Sequence, residues 1–343
     1  MDNNTPQSVE ELEERLSRPT ERVIETLRRL SGDLIVLGVG GKMGPTLARM
    51  AKRAFEAAGL DRRVVGVSRF TDSVLRKRLE VWGVETIQGD LLDESFVKSL
   101  PEMPNVVYMA AFKFGASTNP SFTWAMNCLV PALVCQKFSS SRIAAFSTGN
   151  VYGMSSTSGK GSKESDELNP IGEYAMAALG RERIFEHFSR TQGTPTILLR
   201  LNYACEMRYG VLVDLAQQVL NGQPIDLSMG YFNAIWQADA NAMALQSLAH
   251  AASPPKVINI AGPEQLNVKE VCQAFGRNMN RSVNFDGIAA DEALLSNGEK
   301  GYQLFDRPAV SADELIAWTP DWIERGGPTF GKPTKFQSRD GRF

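Results

Sequence analysis

The chain has 343 residues, 43% hydrophobic and 22% charged, with a net charge of −2. That length exceeds what one hydrophobic core usually serves, so one large or two unequal globular domains are expected. Lysine and arginine are scattered, which excludes a nucleic-acid footprint, and no apolar stretch approaches the ~20 residues of a membrane span. The four cysteines (Cys128, Cys135, Cys205, Cys272) lack CxxC spacing, and the only histidines are His187 and His250. A disulfide framework, a metal site and a Ser-His-Asp triad are therefore not expected. The thiols read as free and buried, and the first thirty residues lack the apolar core of a signal peptide, so the expected location is cytoplasmic.

Residues 1–31 read as a helical N-terminal extension, packed on the main domain or on a second subunit. Ser8 with Glu11 fits a capping box, and Pro19 is placed to open a second helix after Ser17. From residue 34 the pattern alternates. Apolar runs at 34–38, 63–67, 84–88, 106–110, 143–147 and 196–200 are strand candidates, the last closing the series. Helical spacing fills 45–58, a charged stretch before 84, a segment near 119–138 and another at about 172–192. Strands alternating with helices predict an α/β fold: a Rossmann-type, doubly wound parallel sheet covered on both faces. The predicted dinucleotide-binding domain covers 32–204. A smaller α/β substrate-binding portion covers 205–325, with some chain exchange between the two. Residues 326–343, rich in Gly, Pro, Lys and Arg, read as an extended C-terminal tail.

The most informative turn is Gly38-Val39-Gly40-Gly41-Lys42-Met43-Gly44, which follows an apolar run and opens a helix. Gly38 permits a tight turn, Gly41 lets the backbone approach a pyrophosphate, and Gly44 lets the helix pack closely on the sheet. The helix N-terminus then faces the phosphates with free N–H groups and a partial positive charge. The second apolar run ends at Ser68-Arg69. An acid there would bond the 2′-hydroxyl of NAD, whereas a hydroxyl and a guanidinium suit a 2′-phosphate. NADP is therefore the expected cofactor, with NAD as the alternative.

Beyond the glycine turn, further blocks resemble the extended short-chain dehydrogenase/reductase family, the NAD-dependent epimerases and dehydratases, over about residues 34–285. Gly89-Asp90-Leu91 is similar to the family's adenine-side segment. Tyr108-Met109-Ala110-Ala111 stands where the family lines the cofactor. Lys113 resembles a cofactor-contacting lysine of the family's epimerases, and Asn127 resembles the asparagine of the next helix. Phe146-Ser147-Thr148-Gly149-Asn150-Val151-Tyr152-Gly153 resembles the block that carries the catalytic Ser or Thr, here Thr148. Asn259 matches an asparagine of the substrate portion. The resemblance implies hydride transfer between a nicotinamide and a carbinol carbon of a sugar or related polyhydroxylated substrate. It also implies Thr148 and Tyr174 as catalytic residues, with Tyr174 also touching the cofactor, and a homodimer.

The resemblance departs where it matters most. The family pairs its tyrosine with a lysine four residues on, and here that position is Ala178. Residues i and i+4 share a helix face, and a tyrosine titrating near ~10 is a poor base at neutral pH without a nearby cation. Three readings stay open: Lys113 or Arg181 supplies the charge, the reaction needs less activation of the tyrosine or uses another base, or the chain is a catalytically impaired NADP(H)-binding regulatory protein. Gly149-Asn150 stands where the family's 4,6-dehydratases carry an Asp-Glu pair. Asn233-Ala234 replaces the stretch in which many nucleotide-sugar enzymes place an arginine. Glu206, Arg208 and Tyr209 either line the pocket or lie on the surface.

Overall fold

In the computed structural model, which describes residues 5–342, seven parallel strands form one sheet. Residues 1–4 of the expected N-terminal extension and Phe343 of the expected tail lie outside the described residues. The strands are β1 (Leu34–Leu37), β2 (Val64–Ser68), β3 (Glu85–Gln88), β4 (Asn105–Tyr108), β5 (Arg142–Thr148), β6 (Thr196–Leu201) and β7 (Lys256–Ile260). Their spatial order is β7-β6-β5-β4-β1-β2-β3. The order reverses between β1 and β4, and a crevice beyond the carboxyl ends of the strands at that point is where open α/β sheets bind ligands.

Alternate residues of each strand feed two separate cores. Leu34, Val36, Val107, Ala144 and Leu199 face one layer, while Ile35, Leu37, Val106, Tyr108, Ile143 and Leu198 face the other. Burial on both faces explains why these strands read as continuous apolar runs. The helices are α1 (Val9–Leu16), α2 (Glu21–Arg29), α3 (Gly44–Ala57), α4 (Ser73–Val81), α5 (Glu94–Ser99), α6 (Pro120–Trp124), α7 (Val130–Lys137) and α8 (Gly172–Gln192). They continue with α9 (Val211–Leu220), α10 (Gln237–Ser247), α11 (Val268–Asn278), α12 (Glu299–Leu304) and α13 (Ala312–Glu324). On the first face α2, α3 and α10 pack together; on the second, α7 packs on α5 and α8.

The N-terminal helices pack on their own chain. Leu12, Leu16, Val23 and Leu27 join the core beneath α3 and α10. Glu13 of α1 receives Arg78 at 2.8 Å and Arg208 at 2.9 Å. The expected caps differ in detail. Ser8 accepts from the Glu11 amide, but the Glu11 carboxylate takes the Gln7 amide instead, so no reciprocal box forms. Helix α2 starts at Glu21 rather than Pro19, because the Thr20 hydroxyl caps it through the Val23 amide.

The strand series does not close at residue 200. β7, from the region expected to be the smaller portion, pairs in parallel with β6 and extends the sheet by one strand. The rest of that region is helical with short strand pairs: α9, α11 and α13 pack on one another. Residues 327–342 form neither helix nor strand, yet Thr334 and Phe336 are buried.

Candidate active site

A cavity of about 650 Å³ opens along the carboxyl ends of β1, β2, β4, β5 and β6. Its floor is the glycine turn. The Gly38 and Val39 amides both donate to the Val67 carbonyl, at 2.9 and 3.1 Å, and Gly38 has φ +90°. A Cβ on Gly38 would lie 2.7 Å from the Ala110 amide nitrogen, and one on Gly44 would collide with the Val39 carbonyl. Those two glycines serve the protein's own packing. Gly41 differs: a Cβ there would meet only the Gly38 carbonyl, at 3.5 Å. The space over Gly41 is open toward the cavity, and α3 begins behind it with no side-chain cap on its free N–H groups. Such an open cradle at a helix N-terminus fits a pyrophosphate.

Ser68 and Arg69 lie on the wall, Arg69 exposed and Ser68 close beneath Gly40. The nearby acid, Asp72, is engaged in capping α4 through the Val74 amide at 2.8 Å. Asp90 and Leu91 also line the cavity, and the Asp90 carboxylate accepts from the Leu92 amide at 3.0 Å. Lys42, Met43, Ala110, Ala111 and Lys113 also line the cavity.

Strand β5 ends at Thr148, whose hydroxyl donates to the Asn150 side-chain oxygen at 2.8 Å and caps the turn that follows. Helix α8 presents Tyr174 in its first turn. Thr148 and Tyr174, from two elements, line the one cavity. The Lys113 ammonium lies 5.5 Å from the centre of the Tyr174 ring. Desolvation, and then the charge of Lys42, push Lys113 down to about 8. Ala178 is fully buried against Val151 and Tyr152, so nothing at 178 reaches the cavity.

Arg181, the other candidate cation, is buried at the back of the cavity. It donates to the Phe146 carbonyl and to Asn127 Oδ1, both at 2.8 Å, while its Nε has no partner. Asn127 sits in a π-helical turn, Ala125–Leu129, between α6 and α7. Its amide donates to the Phe112 carbonyl at 3.0 Å. The structure thus places the Asn127 side chain behind the wall rather than on it, where it holds Arg181 and the 112 loop; Tyr108 and Asn259 are likewise buried off the wall.

Behind Thr148 runs a buried polar ladder. Ser147 donates to Glu182 at 2.5 Å, Arg200 makes two bonds to Glu182 at 3.0 and 2.7 Å, and Arg200 also donates to the Tyr152 hydroxyl at 2.8 Å. Tyr152 donates onward to Asn259 at 2.7 Å, tying β7 to the segment that follows β5. Of the undecided trio, Tyr209 lines the cavity, while Glu206 and Arg208 are buried and bonded to each other. Asn233 is buried too, accepting from the Ser296 amide at 2.9 Å and donating to the Glu264 carbonyl at 3.1 Å, and it is not on the cavity wall.

Sequence reasoning passed over Phe114, Tyr203, Lys332 and Thr334, all on the wall. Asn150, a departure from the pattern of the 4,6-dehydratases, lines the cavity beside Thr148. Among the described residues no cluster of His, Cys, Asp and Glu could hold a metal ion, and no helix is long and apolar enough to cross a membrane. All four cysteines are free.

The sheet order and the glycine cradle define a dinucleotide-binding Rossmann fold of the extended short-chain dehydrogenase type. The family model described as the NAD dependent epimerase/dehydratase family matches residues 34–229, and the chain belongs to that family. No curated protein matches the chain. Similar solved structures include DesIV, a dTDP-glucose 4,6-dehydratase from Streptomyces venezuelae with NAD and TYD bound. It is 18% identical with a TM-score of 0.73, covering 85% of this chain and 97% of that one. A mutant UDP-glucuronic acid 4-epimerase from Bacillus cereus, in complex with UDP-4-deoxy-4-fluoro-glucuronic acid and NAD, is 17% identical. Its TM-score is 0.70, with 85% and 99% covered. The Bordetella bronchiseptica enzyme WbmG, in complex with NAD and UDP, is 18% identical with a TM-score of 0.71, covering 89% and 99%.

Proposed function

We propose that the chain is a nicotinamide-dependent epimerase or oxidoreductase acting at a carbinol carbon of a sugar, in the form of a nucleotide sugar. The observation that carries this reading is the meeting of Thr148 and Tyr174 in the cavity floored by the glycine turn. Gly38–Gly44, Ser68, Arg69, Asp90 and Leu91 would hold the dinucleotide, and Arg69 favours NADP over NAD. When bound, the dinucleotide supplies the centre that takes up and returns hydride. Thr148 would hold the reacting oxygen, and the Tyr174 hydroxyl would exchange its proton.

Lys113, over the Tyr174 ring, is the better placed of the two substitutes for the missing lysine, since Arg181 is committed to Phe146 and Asn127. Asn150 carries an amide that neither takes nor gives a proton, so the reading favours oxidation or epimerisation over water elimination. In this reading residues 32–204 hold the cofactor while 205–325 and the tail cover the substrate. The solved structures named above are complexes with NAD and, in each, a nucleotide or nucleotide sugar, which supports the substrate class.

The test compares Tyr174→Phe with the unmodified protein over UDP- and dTDP-sugars and free sugars, with both cofactors. Loss of a positioned proton-transfer group should lower kcat by about 10²–10⁴-fold. Equal turnover by both proteins removes Tyr174 from the chemistry. Ala178, buried and without charge, supports the second reading, an NADP(H)-binding regulatory protein. Cofactor binding with neither an absorbance change at about 340 nm nor any epimerised product over the whole panel would favour it.

A further inference from the structure

The C-terminal segment has no regular structure, yet it is fastened along its length. The Phe330 amide donates to the Arg208 carbonyl at 3.0 Å, and its ring lies 4.9 Å from the Arg208 guanidinium. Thr334 donates twice to one Asp214 oxygen, from its amide at 2.7 Å and its hydroxyl at 2.5 Å. Phe336 is buried with its ring 6.1 Å from Phe232. Arg339 donates to the Glu292 carbonyl at 2.8 Å. Gly341 abuts Gly172, at the start of the helix that carries Tyr174: a Cβ on Gly172 would lie 2.5 Å from the Gly341 carbonyl oxygen. The segment is a strap running from the end of the β6 loop to the first turn of α8.

Lys332 stands between the anchors at 330 and 334, exposed and on the cavity wall. The same wall carries Lys42, whose ammonium lies 3.5 Å from the centre of the Tyr209 ring and 4.5 Å from that of Phe114. The glycine turn and the strap thus bring two lysines to one cavity, with Lys113 also on its wall. Burial, and next the charge of Lys332, push Lys42 down to about 8. Asp214, the carboxylate that partly offsets them, is bonded to Thr334. Among the described residues no carboxylate lies within 4.0 Å of the Lys42 or Lys332 ammonium. Like charges on one cavity wall, Lys42 partly desolvated and Lys332 exposed, are mutually unfavourable until an anion joins them. The position at which many relatives place an arginine offers nothing of the kind: Asn233 is buried and engaged elsewhere.

We propose that Lys332, held in place by the C-terminal strap on the cavity wall that also carries Lys42, binds a phosphate or diphosphate group of the substrate. The strap is then part of the substrate site, and this assignment rests on the nucleotide-sugar reading above. The dinucleotide cofactor is a second source of the same anion, and the test separates the two. The full-length protein saturated with NADP is titrated calorimetrically with pyrophosphate, UDP and uridine, as the unmodified chain, Lys332→Met and Lys332→Arg. Separate titrations give the NADP and NAD dissociation constants. Losing a charged hydrogen bond should weaken pyrophosphate and UDP by about tenfold to a hundredfold in Lys332→Met. Lys332→Arg should stay within about threefold, with uridine and both cofactors unchanged by either substitution, since the charge is what counts. Unchanged pyrophosphate and UDP affinities in Lys332→Met overturn the proposal, as does an unmodified protein that binds neither. A parallel loss of NADP affinity assigns the charge to the cofactor and overturns it equally. The proton-transfer reading is scored on turnover by Tyr174→Phe and this one on pyrophosphate and UDP affinity in Lys332→Met, so the failure of each is read separately.

Discussion

Replacing Glu182 by glutamine strips the charge from the centre of the ladder behind Thr148. Glu182 and Arg200 are 2% and 4% exposed, and their closest bond is 2.7 Å. Burial alone would depress the Arg200 guanidinium, yet its bonds and charge interaction with Glu182 raise it well above its usual value. Without the carboxylate a buried guanidinium loses its counter-charge, which costs about 3–5 kcal/mol in comparable sites. Glutamine keeps one carbonyl oxygen to accept from Ser147 or Arg200, which places the expected loss near the lower end, about 3 kcal/mol. That is a large share of the roughly 5–15 kcal/mol that holds a typical domain together. Urea titration followed by circular dichroism measures it. The double variant Glu182→Leu with Arg200→Met removes both charges and should recover more than about 1 kcal/mol of the loss, because a buried pair contributes little over apolar neighbours of similar volume. A loss below about 1 kcal/mol in Glu182→Gln, or no recovery in the double variant, would refute the argument that pairing keeps this ladder in place.

Gly41→Ala should fold with unchanged thermal stability, since its Cβ meets only one atom at 3.5 Å, yet bind dinucleotide more than about tenfold more weakly by filling the cradle. Intact cofactor binding in that variant would show that the pyrophosphate lies elsewhere. Arg69→Ala should weaken NADP by about tenfold and leave NAD within about twofold, measured by fluorescence titration; an unmodified protein with no NADP preference ends that reading. Lys113 loses its proton as pH rises through about 8, and with it the charge offered to Tyr174. The activity should therefore fall above about pH 8, and Lys113→Arg, charged throughout, should abolish that alkaline limb in the kcat profile. An alkaline limb unchanged in Lys113→Arg assigns it to another group.

Much of the site is local in character and therefore visible in the residue order. The glycine turn, Ser68-Arg69, Thr148 and Tyr174 each follow a strand or open a helix, and short-range periodicity marks those junctions. The helix over 172–192 and the six apolar runs are visible for the same reason. The fate of Asn127 is not local: its neighbours in the chain do not reveal that Arg181, 54 residues on, claims its oxygen. Glu206, Arg208 and Tyr209 are neighbours in sequence, yet the ion pair turns inward, where Glu13 from α1 meets Arg208, and the tyrosine faces the cavity.

The residue order alone carries a doubly wound parallel sheet, a glycine turn after its first strand and the absence of a lysine at 178. The tertiary structure decides that residues 256–260 return to the sheet edge, that Lys113 stands over Tyr174, and that the tail reaches the cavity wall with Lys332 and Thr334. The physical reason is range. Turns and amphipathic faces are set within a few residues. An edge strand, a substitute cation or an irregular strap is fixed by partners dozens to hundreds of residues away, through hydrogen bonds such as Thr334 to Asp214 that leave no period in the sequence.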